Sequence, residues 1–387
     1  MKLATRMSRL GTETAFEVLA KARALEAQGR EVVHLEIGEP DFDTPANIVG
    51  AAIQALQDGH THYTPSAGIP SFREAIANEI ADTRDIEVHP DQVVVVPGGK
   101  PIMFFVILAL CEQGDEVIYP NPGFPIYESM VNFVGATPVP IPLRMEKAFS
   151  FDVKEFKSLV TNRTKLIILN SPQNPTGGVL SQDDLAAVAE IAMEKDIMVL
   201  SDEIYSRILY EGQFASIATI PSMAERTIIL DGFSKTYAMT GWRLGYGVMS
   251  LELVPHITRL MTNSNSCTAA FAQVAGVEGL TGLQDESFKM VEAFRQRRDV
   301  IVDGLNDIPG FKCLRPKGAF YVFPNIEGTG KKSKFLEEYL LQEAGVATLS
   351  GTSFGKYGEG FLRLSYANSI GNIEKALGWI EEAVIKL

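Results

Sequence analysis

Residues 231–246 read DGFSKTYAMTGWRLGY, which sets a single lysine, Lys235, after a short apolar run and ahead of Arg243 in a glycine-bracketed turn. A lysine so placed can form an imine with an aldehyde while the arginine holds a phosphate. Pyridoxal phosphate carries both groups, and amino acids react through it as an electron sink. Taken alone the pair decides nothing, because most lysines are solvated surface charges. Its meaning depends on what the rest of the chain places beside it.

Outward from this stretch, short apolar β-branched runs recur at 92–96, 116–119, 166–169, 197–200 and 227–230. They do not alternate with polar residues, as expected for strands buried on both faces. Helical patterns lie between them, at 101–111 and at 183–195, the latter opening after Ser181 with acidic residues in its first turn. This βαβα rhythm predicts an α/β fold with a mostly parallel sheet, in which ligands bind beyond the carboxyl ends of the strands. The last third changes character: 285–305 reads as one long amphipathic helix, followed by short strands and helices. With the helix predicted around 14–28, this region is expected to form a smaller domain. The expected partition is an arm at 1–14, a large domain at 47–283, and a small domain from 15–46 and 284–387.

Several strand ends carry chemistry. VVVVPGGKP, ending at Pro101, is a strand followed by Gly98, Gly99 and Lys100 at a helix start, where backbone amides and the helix dipole suit a phosphate. A plain tight turn has the same glycines. TKLIILNSPQNPTGG puts Asn170 and Asn174 after a strand as turn formers, with Asn174 alternatively a donor to an anionic ring oxygen. IMVLSDEIYS brings Asp202 to a strand end with Tyr205 behind it. A buried carboxylate there needs a cation, and a protonated pyridine nitrogen would serve; a helix N-cap is the alternative. In FLRLSYANS, Arg363 is flanked by apolar residues and faces inward, toward a substrate carboxylate or a structural salt bridge.

Composition narrows the classes. The chain has 387 residues, is 46% hydrophobic and 21% charged, and carries a formal net charge of −13. That length suggests two cores, and the acidic balance without basic clusters argues against nucleic acid. Cys111, Cys267 and Cys313 are far apart, without the spacing of a disulfide framework or a zinc cluster, and the scattered histidines predict no metal. No signal segment or apolar run of transmembrane length is found, so a cytoplasmic protein is expected.

With SKTYAMTGWR, NSPQNPTGG, SDEIY and FLRLS in this order, the sequence resembles the class I aminotransferases of pyridoxal-phosphate fold type I, and their bacterial aspartate-aminotransferase-like branch in particular. The resemblance runs from GEPDFDTP at 38–45 to Arg363. It implies a large domain with a mostly parallel seven-stranded sheet between helices and a smaller α/β domain. It implies transfer of an amino group between an L-amino acid and a 2-oxo acid, glutamate and 2-oxoglutarate forming one pair, by a ping-pong mechanism with pyridoxal 5′-phosphate. By position, Lys235 would hold the cofactor and move the substrate's proton. Asp202 would face the pyridine nitrogen, and Asn174 and Tyr205 the ring oxygen. Gly99, Lys100, Ser234 and Arg243 would hold the phosphate, with Tyr63 reaching over from a second subunit of a homodimer. Phe124 would stack on the ring, and Arg363 with the Gly38 backbone and Asn174 would bind the substrate.

Two departures stand out. Pro101 offers no amide hydrogen where relatives often carry Gln or Gly. Leu108 is apolar where some aspartate-specific relatives place a basic residue, and Phe16, Glu17 and Leu108 are expected to line the side-chain pocket. Two alternatives share these residues. One is a carbon–sulfur β-lyase of the same fold. The other is a ligand-sensing regulator, for which the N-terminal arm is too short and too weakly basic to bind DNA.

Overall fold

The computed structural model describes all 387 residues. Its strands, in chain order, are β1 (Val33–His34), β2 (Val93–Val96), β3 (Glu116–Asn121), β4 (Thr137–Pro142), β5 (Thr164–Asn170) and β6 (Met198–Asp202). They continue with β7 (Thr227–Gly232), β8 (Gly245–Val248), β9 (Tyr321–Val322), β10 (Val346–Ala347), β11 (Leu349–Ser350) and β12 (Leu362–Ser365). Seven of them form one sheet in the order β2-β8-β7-β6-β5-β3-β4. Only β8 runs against the rest, pairing antiparallel with both β2 and β7.

The five apolar runs are β2, β3, β5, β6 and β7, displaced by a residue or two at their ends. Each lies almost wholly buried, because helices cover both faces of the sheet. The leading helices are α1 (Ala15–Glu26), α2 (Ala46–Gln57), α3 (Pro70–Arg84), α4 (Lys100–Leu110), α5 (Ile126–Val134), α6 (Val153–Leu159) and α7 (Gln182–Lys195). On one face α4 and α5 pack their buried stripes against β2, β3 and β5; on the other, α2 and α3 cover β2, β7 and β8. Ser181 caps α7 as expected, its hydroxyl accepting from the Asp184 amide at 3.1 Å while the Asp184 carboxylate accepts from the Ser181 amide.

Two strands of the sheet carry no signal of the expected kind. β4 reads TPVPIP; three prolines are tolerated because it is an edge strand, where missing N–H groups cost no ladder bond. β8 reads GYGV, and its glycines answer to close packing. A Cβ at Gly245 would lie 2.6 Å from the Gly99 nitrogen, so only glycine lets the two backbones touch.

Past the sheet, helix Asp285–Asp307 is the long amphipathic element expected. It packs with helix Ile370–Ile385 around a second hydrophobic cluster that includes Phe294, Phe320, Tyr321 and Leu364. Within it β11, β12 and β9 form an antiparallel sheet, and β1 pairs in parallel with β10. No helix is long and apolar enough to cross a membrane.

Candidate active site

A cavity of about 450 Å³ opens where β5, β6 and β7 end and where the loop after β2 enters α4. Gly38, Gly99, Lys100, Phe124, Asn174, Asp202, Tyr205, Ser234, Lys235, Arg243 and Arg363 all line it, gathered from most of the length of the chain. Tyr63 does not; it stands 89% exposed on the surface.

Lys235 lies in the turn that follows β7, whose last residue is Gly232. Its Nζ donates to the Gly38 carbonyl at 2.5 Å and has no carboxylate partner. Burial, with Arg363 and Lys100 nearby, lowers its pKa to about 8 despite the opposing pull of Glu39. A buried amine in that range is partly neutral near pH 8, and the neutral form is the nucleophile that attacks an aldehyde.

Asp202 closes β6 and is buried. The helix-cap alternative falls away, since no helix follows; the carboxylate accepts instead from the Ile204 amide at 3.3 Å and from the Tyr127 hydroxyl at 2.6 Å. Burial raises its pKa to about 6, partly offset by these two hydrogen bonds. It is therefore mostly ionised at neutral pH yet has no basic side chain in contact, which is the state of a carboxylate that awaits a cation.

The loop after β2 forms a cradle with Arg243. Gly98 has φ +80°, and a Cβ there would overlap the Arg243 guanidinium, so the glycine serves both the backbone and the arginine's approach. Arg243 donates to the Thr240 carbonyl at 2.8 Å and keeps its other donors free of carboxylates. Ser234, in the turn after β7, lines the same cavity. Lys100 points its amine elsewhere, to Glu13 and over the Phe124 ring at 5.4 Å, leaving its backbone amide for an anion. A phosphate fits these donors, and a protonated pyridine fits Asp202, so the residues present suit pyridoxal phosphate.

Arg363 lies on β12 and is buried. It has no salt bridge, against one of the two readings of its sequence context. Nη1 donates to Asn174 Oδ1 at 3.2 Å, Nη2 donates to the Glu36 carbonyl, and Nε has no partner. The Tyr321 and Phe354 rings flank the guanidinium at 4.6 and 4.9 Å. A buried guanidinium with donors to spare is suited to a carboxylate ligand.

Of the three residues expected in the side-chain pocket, only Phe16 lines the cavity. Leu108 sits about 140° around α4 from Met103 and roughly 12 Å along the axis from Lys100, so it faces away. Glu17 lies about 100° around α1 from Phe16 and also turns out. Glu13, paired with Lys100, lines the cavity although the sequence did not single it out. Tyr127 and Tyr321 were not singled out from the sequence. Tyr321 bonds Tyr205 hydroxyl to hydroxyl at 2.8 Å and fills the space over Gly38, where a Cβ would overlap it. Both tyrosines sit among apolar residues, and nothing in that context separates them from ordinary core aromatics.

The family described as Aminotransferase class I and II matches residues 30–380. A probable aspartate/prephenate aminotransferase of Aquifex aeolicus is 40% identical over 99% of this chain and 98% of that protein. Among solved structures, aspartate aminotransferase from Thermus thermophilus with maleate superposes with a TM-score of 0.94 at 38% identity, covering 99% of this chain and 100% of that one. Alanine aminotransferase from Pyrococcus furiosus gives 0.95 at 33% identity, covering 100% of each. The architecture is that of the fold-type I pyridoxal-phosphate transferases. Within that class the chain belongs to the class I and II aminotransferase family, and it is a transaminase.

Proposed function

We propose that this transaminase exchanges an amino group between an L-amino acid and a 2-oxo acid by a ping-pong mechanism, with pyridoxal 5′-phosphate as cofactor and glutamate with 2-oxoglutarate as one pair. The observation that carries this reading is one cavity holding a buried amine at Lys235, a carboxylate without a basic partner at Asp202 and a guanidinium with spare donors at Arg363.

Bound cofactor supplies the aldehyde that the amino group joins and a ring that takes up the electron pair left at the α-carbon. Asp202 holds the ring nitrogen in its cationic form, and Asn174 and Tyr205 orient the ring oxygen. Gly99, Lys100, Ser234 and Arg243 grip the phosphate while Phe124 packs on the ring. Arg363, oriented by Asn174, takes the substrate carboxylate next to Gly38. The amine of Lys235 would take the proton from the substrate's α-carbon onto Nζ and pass it to the former aldehyde carbon, and the reverse transfer would complete the second half of the exchange. Apolar walls from Phe16, Leu349 and Phe354 suit apolar or aromatic side chains.

The same reading includes a cytoplasmic homodimer in which Tyr63 reaches the partner's phosphate. It also includes the division into an arm, a large domain at 47–283 and a small domain from 15–46 and 284–387. Two hydrophobic clusters drawn wholly from 48–275 support that division, while the cluster around Phe294 also takes in Tyr205, Ile208 and Tyr210, where the two parts meet.

Lys235→Ala is expected to abolish turnover and the visible absorption of cofactor joined to the lysine; retained multiple turnover would sink the proposal. Transfer should also require an acceptor. Pyruvate and ammonia released from cystathionine without any 2-oxo acid would mark the enzyme as a β-lyase instead.

A further inference from the structure

Beneath Arg363 lies a cluster with no part in the chemistry described above. Glu36 is completely buried, and its own main-chain carbonyl accepts from Arg363 Nη2. One carboxylate oxygen, Oε1, meets His34 Nδ1 at 2.8 Å, while the other, Oε2, has no partner. The Nε of Arg363 is likewise buried without a partner. An orphaned acceptor and an orphaned donor thus sit on two residues already joined by a hydrogen bond. Buried polar groups are costly unless paired, and the Glu36 carboxylate is close enough to influence the Arg363 charge.

His34 is held between two carboxylates, Glu36 and, from α1, Glu26 at 3.1 Å. The hydrogen bond His34 donates to Glu36 first, and Glu26 after it, raise its pKa to about 9 against the opposing effect of burial. Helix Ile370–Ile385, which also packs on β1, brings Lys375, but that amine is paired with Glu31. Arg363 itself is faced by Tyr321, Tyr205, Glu36 and Glu13, and Lys235 lies nearby.

We propose that the Glu36 main-chain carbonyl positions Arg363, and that His34 supplies the counter-charge that keeps the Glu36 carboxylate from competing with the substrate. With His34 cationic, the pair is balanced and Arg363 presents its free face to the cavity. With His34 uncharged, the buried carboxylate draws on the guanidinium, and the substrate carboxylate binds less well. Apparent substrate affinity therefore falls as pH rises through the His34 transition. This inference rests on the reading of Arg363 as the substrate-carboxylate anchor.

The test uses the holoenzyme, one amino donor and a saturating 2-oxo acid. His34→Gln should raise KM for the donor about tenfold near pH 7.5 with kcat held within about twofold, the pattern of lost binding common to ground and transition states. Adding Glu36→Gln to that variant should bring KM back toward the wild-type value, because the uncompensated charge is gone. A purely structural role predicts the opposite, a double variant no better than the single one. Unchanged KM in His34→Gln, or no recovery in the double variant, overturns the proposal. Arg363→Met separates the two levels: it should raise KM about a hundredfold or more. If it does not, the anchor reading fails and takes this inference with it; if it does while His34→Gln has no effect, only this inference fails.

Discussion

Tyr127 gives Asp202 its shortest hydrogen bond, and that bond favours the ionised carboxylate. Tyr127→Phe removes it without changing shape, so Asp202 should titrate above its present value of about 6. Cofactor affinity, which needs the ionised form, should weaken about tenfold at neutral pH, roughly what one charge-assisted hydrogen bond contributes. Its decline on acidification should also begin at higher pH than in the wild type. Equilibrium dialysis of the cofactor across a pH series checks both, and an unshifted acid limb would refute the role. Lys235, Asp202 and Arg363 were legible in the sequence because a charged side chain beside an apolar run is conspicuous. Tyr127 and Tyr321 were not, since an aromatic residue among apolar ones reads the same whether it packs or donates. The misplaced Glu17 and Leu108 failed for another reason: correct helices do not by themselves fix which face meets the cavity.

At the scale of elements, the strand ends that carry Asp202 and lead to Lys235 are tied together from behind. Arg84, the last residue of α3, is buried and bonds Glu203 at 3.0 Å, just past β6, and Asp231 at 2.8 Å, within β7. Glu203 also accepts from Ser201 at 3.0 Å and from Ser216 at 2.5 Å, and Asp231 from the Gly232 amide at 2.7 Å. Arg84→Met would leave two buried carboxylates without their cation, at a cost of about 3–5 kcal/mol. Burial already raises Asp231 to about 6 against the pull of Arg84. Without Arg84 the Asp231 carboxyl rises further, the folded state binds more protons than the unfolded one, and acid recovers part of the loss. Urea midpoints should therefore differ less between variant and wild type at about pH 5 than at about pH 8. The five buried strands were visible from their apolar runs, whereas β4 and β8 were hidden by prolines and glycines that local rules assign to turns. Both residue types are there for tertiary reasons, an exposed edge in one case and a touching backbone in the other.

For the whole molecule, the exposed Tyr63 gives the proposed dimer a sharp test. If it serves the partner's phosphate, Tyr63→Phe and Lys235→Ala subunits should complement when mixed and refolded. In a hybrid dimer one site then carries both lesions and the other carries none. Activity well above that of either parent, approaching about half that of the wild type per hybrid dimer, is expected; no gain on mixing would place Tyr63 outside the site. The α/β class and the two cores followed from periodicity and length, because both are averages over many residues. The partner's contribution has no such signature within one chain.

The insertion of β8 between β2 and β7 sets a condition on biosynthesis. A nascent chain that has reached Arg243 already contains Asn174, Asp202, Ser234 and Lys235, and the phosphate loop has long been made. Yet β2 has no neighbour until Gly245–Val248 emerge and slot in beside it. Every reactive side chain drawn from the sheet is thus present before the ribosome has delivered the strand that joins β2, and the phosphate loop it leads into, to the rest of their floor.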